Sequence, residues 1–201
     1  MKPIIFSTKM VQAILDDRKT QTRRVIKNKI FQQWVEAGFT DEFIKNSENH
    51  WVEVSPYQPG DILWVRETWQ RIDAAVGLDL ELDGYAYVYR ASENGEAWAR
   101  EIENWKWRPS IYMQKEAARI FLQVTGIRVE RVQDITGFDC VNEGIDTLDI
   151  LENTPGSDFE GYARLQFSKL WDNLNAKRGY GWQTNPWVWV IEFQKQKEGA
   201  A

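Results

Sequence analysis

Cysteine and histidine are almost missing from this 201-residue chain, with one of each. Cys140 alone cannot close an internal disulfide, and with His50 it falls short of the ligand set of a structural zinc site. No histidine neighbours a candidate nucleophile, which removes the Ser–His and Cys–His hydrolases. No Gly-rich phosphate loop is present, which removes the P-loop nucleotide enzymes. Apolar runs are short, Trp187 to Ile191 being typical, whereas a membrane span needs about 20 residues. The opening Met-Lys-Pro-Ile-Ile-Phe-Ser has too short an apolar stretch for a signal peptide. Bases are outnumbered, 25 against 30 acids, and the net charge of −5 excludes a globally basic nucleic-acid coat. A cytoplasmic protein without metal, cofactor or membrane partner is expected.

What is present is enough apolar residue, 43%, to bury the core of one domain, together with 11 tryptophans. Residues 3 to 6 read as a first strand. Ser7 or Thr8 then caps a short helix with Met10, Val11, Ile14 and Leu15 on one face. A strand from about Thr20 to Ile26 alternates Thr22, Arg24 and Ile26 against Gln21, Arg23 and Val25. Residues 28 to 55 lack a clean period and read as an insertion with a short helix. After the Pro59-Gly60-Asp61 turn, a central strand is expected over Ile62 to Trp69, and residues 70 to 82 read as loop. Tyr85, Tyr87 and Tyr89 mark a strand that ends at a Ser-Glu-Asn-Gly turn (92–95). From Arg119 to Val132 the apolar residues change parity around Gly126, where a bulge or bend would keep one face inward. Thr136 with Asp139 opens a capped helix that ends at Gly144. A polar loop, 153–157, precedes a helix capped by Asp158 that buries Phe159, Ala163, Phe167, Leu170, Trp171 and Leu174. Trp187 to Phe193 is the last strand, and the tail from Gln194 is polar. Clustered strands with few helices predict an α+β fold, a curved mixed sheet or small barrel with short flanking helices.

Four features can carry chemistry. Residues 18 to 29 hold Arg18, Lys19, Arg23, Arg24, Lys27 and Lys29 and no acid. On charge alone they read as a solvated turn and edge strand. Glu143 falls in the last helical turn, where the helix dipole disfavours a carboxylate by about 0.3–1 kcal/mol unless a cation sits beside it. Arg66 and Glu67 interrupt an apolar strand, so they either pair structurally or line a cavity. Among the tryptophans, Trp64, Trp69, Trp105, Trp107, Trp187 and Trp189 read mainly as core, with one or two suited to stacking a base.

Read in order, the motifs are Ala-Ile-Leu-Asp-Asp-Arg-Lys-Thr-Gln-Thr-Arg-Arg (13–24), Gln-Pro-Gly-Asp-Ile-Leu-Trp-Val-Arg-Glu-Thr-Trp (58–69), Lys-Trp-Arg-Pro-Ser-Ile-Tyr-Met (106–113), Val-Asn-Glu-Gly-Ile (141–145) and Asn-Pro-Trp-Val-Trp-Val-Ile-Glu-Phe (185–193). This series resembles the ASCH domain family of the PUA-like superfamily, most closely a branch found in phages and prophages. The resemblance implies one PUA-like curved β-barrel over 1–201, with insertions near 28–55 and 70–115. It also implies recognition of RNA or modified nucleobases. A small bacterial ASCH protein hydrolyses N4-acetylcytidine with a Lys, a Thr and a Glu, and the matching positions here are Lys19, Thr22 and Glu143.

In that reading Lys19 is a base if burial lowers its pKa, and Glu143 orients it or handles the proton of the leaving amine. Thr22 accepts the acyl group or positions water. Arg24 meets a carbonyl or phosphate oxygen, Arg66 or Glu67 reads a base edge, Trp69 stacks on the base, and Arg108 and Ser110 add hydrogen bonds. Arg18, Arg23 and Lys27 serve a few phosphates. The expected partner is a modified pyrimidine nucleoside or single-stranded nucleic acid. The competing class is a module of the same cleft that binds RNA or single-stranded DNA without chemistry.

Overall fold

Local signals begin most of the elements. The computed structural model describes residues 1–73, 85–93, 95, 97, 100, 105–146 and 158–196. Most of the expected loop at 70–82, Asn94 of the 92–95 turn, the polar loop 153–157 and the tail beyond 196 lie outside the described residues. The strands are β1 (Lys2–Ile5), β2 (Gln21–Val25), β3 (Ile62–Arg66), β4 (Trp69–Asp73), β5 (Tyr85–Tyr89), β6 (Phe121–Arg131) and β7 (Trp187–Lys195). The helices used below are α1 (Thr8–Leu15), α2 (Lys29–Glu36), α3 (Asp41–Asn46), α4 (Glu48–Val54), α5 (Gly137–Asn142) and α6 (Phe159–Asn175).

The protein is α+β, with a mixed five-stranded sheet in the order β1-β3-β6-β7-β2 and a two-stranded ribbon, β4-β5. β1 runs parallel to β3, and β2 runs antiparallel to β7. Among the described residues the sheet ends at β1 and β2, and no closed barrel is formed. By its internal contacts the chain groups into two compact units. One holds residues 1–16, 62–122 and 195–201, and the other 17–61 and 123–194.

In the first unit Ser7 caps α1 by accepting from the Met10 N–H at 3.5 Å, and the helix buries Val11, Ala13 and Ile14. The strand expected over Ile62–Trp69 is two strands. β3 stops at Arg66, and Trp69 starts β4, which belongs to the ribbon and extends through residues expected as loop. The break has a physical cause at Glu67. Its carboxylate is buried and grips Arg119 through two bonds of 2.9 Å, while its backbone N–H donates to the Met113 sulfur at 3.2 Å. A residue so engaged leaves the ladder, and Trp69 pairs instead with Tyr89 on one side and Arg108 on the other.

In the second unit the insertion near 28–55 holds three helices rather than one. Asn28 caps α2 and Thr40 caps α3. They close over an aromatic cluster in which Phe31 lies 4.7 Å from Trp51 and 5.5 Å from Trp187, centroid to centroid. Along β6 the buried positions are Leu122 and Val124, then Ile127 and Val129, so parity changes across Gly126. A Cβ on Gly126 would meet the Glu192 Oε2 at 2.7 Å, so a side chain here would make the Glu192 carboxylate shift. Thr136 and Asp139 form the expected capping box on α5, and Gly144 turns the chain at φ +92°. Asp158 caps α6, which buries Ala163, Phe167 and Trp171 against Val188 and Val190 of β7 and against Cys140. Leu174, expected in that face, is 42% exposed. It lies three positions beyond Trp171, in the last turn of the helix.

Trp171→Ala is expected to cost about 3–5 kcal/mol in urea unfolding, because it empties a packed site. Leu174→Ala is expected to change stability by less than about 0.5 kcal/mol. Equal losses at the two sites would contradict this packing.

Candidate functional site

The approach to β2 lies on the C-terminal end of α5. The Thr20 N–H donates to the Asn142 carbonyl at 2.9 Å, and the Thr20 carbonyl accepts from the Phe193 N–H at 2.8 Å. This anchors Lys19 beside the helix end, where carbonyls lack partners and positive charge is favoured. Its Nζ donates to the Gln21 carbonyl at 2.8 Å, the Glu143 carbonyl at 2.7 Å and the Glu143 Oε2 at 2.8 Å. Lys19 is 2% exposed and Glu143 3%. The two residues are 124 positions apart in sequence.

Arg23 extends the cluster along the same strand. Its Nη1 donates to the Glu143 Oε1 at 3.1 Å and its Nε to the Glu130 Oε1 at 2.9 Å. Its Nη2 also bonds Glu130 and lies 3.3 Å from the Asp139 Oδ2. Arg128 joins Glu130 at 3.2 Å, Asp139 at 3.1 Å and Glu192. The Gln21 side-chain amide donates to the Asp139 Oδ1 at 3.0 Å. Lys19, Arg23 and Arg128 therefore interlock with Glu143, Glu130, Asp139 and Glu192. Such charges are tolerated under cover only because each is paired and hydrogen-bonded.

The environment shifts several groups. Burial draws the Lys19 pKa below its ordinary value, and the adjoining Glu143 carboxylate opposes that shift. Burial also works against the Arg23 charge, but Glu143 and Glu130 outweigh it and hold the guanidinium more firmly protonated. At Asp139 burial favours the neutral acid, yet bonds from Gln21 and Thr136 and the Arg23 charge keep its carboxyl below the usual range. Cys140, packed just behind, has its thiol pushed up to about 12 by burial.

The other site residues named from the sequence are distributed as follows. Thr22 is buried, and strand alternation puts it with Arg24 on the face of β2 opposite Gln21 and Arg23. The field of Glu143 reaches Arg24. Arg18 is half-buried with Nη1 3.5 Å from the Gly144 carbonyl, and exposed Lys27 lies 5.4 Å from the Tyr180 ring. The basic stretch is thus not a solvated edge throughout, since Lys19 and Arg23 turn inward. Arg66, Glu67, Trp69, Arg108 and Ser110 belong to the first unit. There Arg66 bonds the Ile111 carbonyl and lies over Trp64, and Glu67 is held by Arg119. Trp69 is 4% exposed and packs on Met113 and Ala117, with Arg108 over its ring at 5.3 Å. The Ser110 carbonyl closes a short turn by accepting from the Met113 N–H at 3.1 Å.

Sequence reading missed Gln21, Arg128, Glu130 and Glu192, and it took Asp139 for a capping residue only. The usable signal was charge on alternate residues: Arg128 and Glu130 interleave with buried Ile127 and Val129. Among the described residues, no group of three or more His, Cys, Asp or Glu is placed to hold a metal ion, and no helix is long and apolar enough to cross a membrane. No family model, curated protein or solved structure matches the chain.

The cluster makes three predictions. Glu143→Ala is expected to cost about 3–5 kcal/mol, because it strands buried cations. Lys19→Met combined with Glu143→Gln is expected to cost less than the sum of the two single changes, by about 0.5–3 kcal/mol in urea unfolding. Strict additivity would mean the two residues are uncoupled. At acid pH the sign follows from the depressed Asp139 carboxyl. Its contribution is complete above the unfolded value of about 3.9 and is lost as pH falls through the lower folded value. A Tm series from pH 2 to 6 is expected to flatten in Asp139→Asn.

Proposed function

We propose that this protein is a PUA-like, ASCH-type domain that recognises a modified pyrimidine nucleoside and hydrolyses the N4-acyl amide of cytidine. The observation that supports this reading is the buried contact of Lys19 with Glu143 at 2.8 Å, next to the strand that carries Thr22 and Arg24. The reaction adds water to the acyl carbon, breaks the carbon–N4 bond and releases cytidine and a carboxylate. Thr22 holds the water or accepts the acyl group. Lys19, its pKa drawn down by burial, takes the proton from the attacking oxygen. Glu143 orients Lys19 and relays the proton that Lys19 took to N4 as the amine leaves. Arg24 stabilises the oxyanion on the acyl oxygen.

A binding-only reading is favoured by a different observation. Lys19 Nζ has three oxygen acceptors around it, an arrangement that suits the ammonium and leaves no lone pair for base work. In that reading the cluster is scaffold, and the protein holds a nucleoside or a strand without turning it over.

Incubation with N4-acetylcytidine, followed by chromatography for cytidine, separates the two. The hydrolase reading expects turnover in the parent protein. It also expects a kcat at least about 100-fold lower in Thr22→Val, with far-UV circular dichroism to check that the variant keeps the fold. Nucleoside binding with no turnover supports the binding-only reading. A parent protein that does neither defeats both.

A further inference from the structure

The β4-β5 ribbon carries an aromatic face that packing accounts for only in part. In its antiparallel register Trp69 stands opposite Tyr89, and Arg71 opposite Tyr87. Side chains at every second position share a face, so Trp69, Arg71, Tyr85, Tyr87 and Tyr89 point the same way. Trp69 also pairs with Arg108 through two backbone bonds of 2.8 and 3.2 Å, which puts the Arg108 side chain on that same face. The rings touch in series: Trp69 lies 5.5 Å from Tyr87, and Tyr87 lies 5.4 Å from Tyr85.

At one end of the row the rings are structural. Trp69 packs on Met113 and Ala117, and the Tyr89 hydroxyl donates to the Ala117 carbonyl at 2.7 Å. At the other end the packing thins, although Tyr87 still borders that cluster. Tyr85 is 53% exposed, and Tyr87 is half-buried. Two exposed arginines lie over rings of this face, Arg71 5.2 Å from the Tyr85 centroid and Arg108 5.3 Å from that of Trp69. The part-exposed rings of Tyr85 and Tyr87, with exposed guanidinium groups along the row, offer π surface to bases and positive charge to phosphates.

We propose that this face of the ribbon is a platform on which the bases of single-stranded nucleic acid stack, with Arg71 and Arg108 meeting the phosphates. The occupant is a single strand rather than a duplex, because paired bases keep their faces inside the helix and have none to give to Tyr85 or Tyr87. The arginines favour a polyanion over a neutral aromatic-binding ligand such as a sugar. The inference does not rest on hydrolysis at Lys19, since every residue it uses lies in the first unit.

The test is fluorescence anisotropy with labelled ten-nucleotide strands: oligo-dT, oligo-U, an abasic strand of the same length, and a duplex. Preference for the base-bearing strands over both the abasic strand and the duplex is expected, and the dT and U arms distinguish DNA from RNA as the source. Tyr85→Ala is expected to weaken binding about 5- to 150-fold, with Tyr85→Phe close to the parent. Arg71→Ala and Arg108→Ala are each expected to lower the slope of log affinity against log salt by about 0.7. Tyr85 is exposed, so its variants keep the fold, which far-UV circular dichroism checks. Equal affinity for the abasic strand, preference for the duplex, no binding to any strand, or no effect of Tyr85→Ala would each overturn the proposal. The N4-acetylcytidine assay on the parent protein keeps the two readings apart, because strand binding without hydrolysis leaves the platform standing while it ends the hydrolase reading.

Discussion

The second unit depends on one ion pair. Lys19 and Glu143 meet where the chain enters β2 and leaves α5, and their contact fixes both backbones at once. The lysine satisfies a helix-end carbonyl and a strand carbonyl with the same ammonium that neutralises the carboxylate. Neither residue can be buried alone, because an uncompensated charge in that position would cost several kcal/mol. Arg23 then holds the second oxygen of Glu143, and Glu130, Asp139 and Arg128 follow from the need to balance Arg23 in turn. A pair that began as a local anchor thus brings charge from β6, α5 and β7 into one network.

That network sits beside ordinary hydrophobic packing. Val188 and Val190 of β7, on the face of Arg23, meet Phe167 and Trp171 of α6. Arg23 itself lies 5.9 Å from the Phe167 ring, so the guanidinium is bordered by carboxylates and by an aromatic ring. On the other face of the strand, Trp187 and Trp189 meet Phe31. β7 is buried on both faces over Trp187 to Ile191, which explains why its apolar run is continuous rather than alternating.

Signals that act over three or four residues were legible in the sequence. The Ser7 cap, the Thr136–Asp139 box, the Gly144 stop, the Asp158 cap and the parity change across Gly126 all stand where the residues put them. The proximity of Lys19 to Glu143 came from resemblance, since nothing in spacing joins residues so far apart. Effects that need a third element were not legible. The end of β3 depends on Arg119 reaching Glu67. The three helices of 28–55 escaped because each is short and their apolar residues point into one shared aromatic cluster, which blurs any single period. Arg128 and Glu130 alternate with buried Ile127 and Val129, and what ties them into the network, Asp139 for one and Arg23 for the other, lies on other elements of the chain.

Cys140 gives this arrangement a built-in clock. It is the chain's lone thiol, fully enclosed, and it sits on α5 one turn before Glu143. With its pKa near 12 when enclosed and about 8.5 when free, it reacts with a disulfide reagent at mild alkaline pH only during moments of release. The labelling rate of the unaltered protein therefore counts openings of the helix that presents Glu143. It separates fluctuations confined to that helix from global unfolding by their different dependence on denaturant.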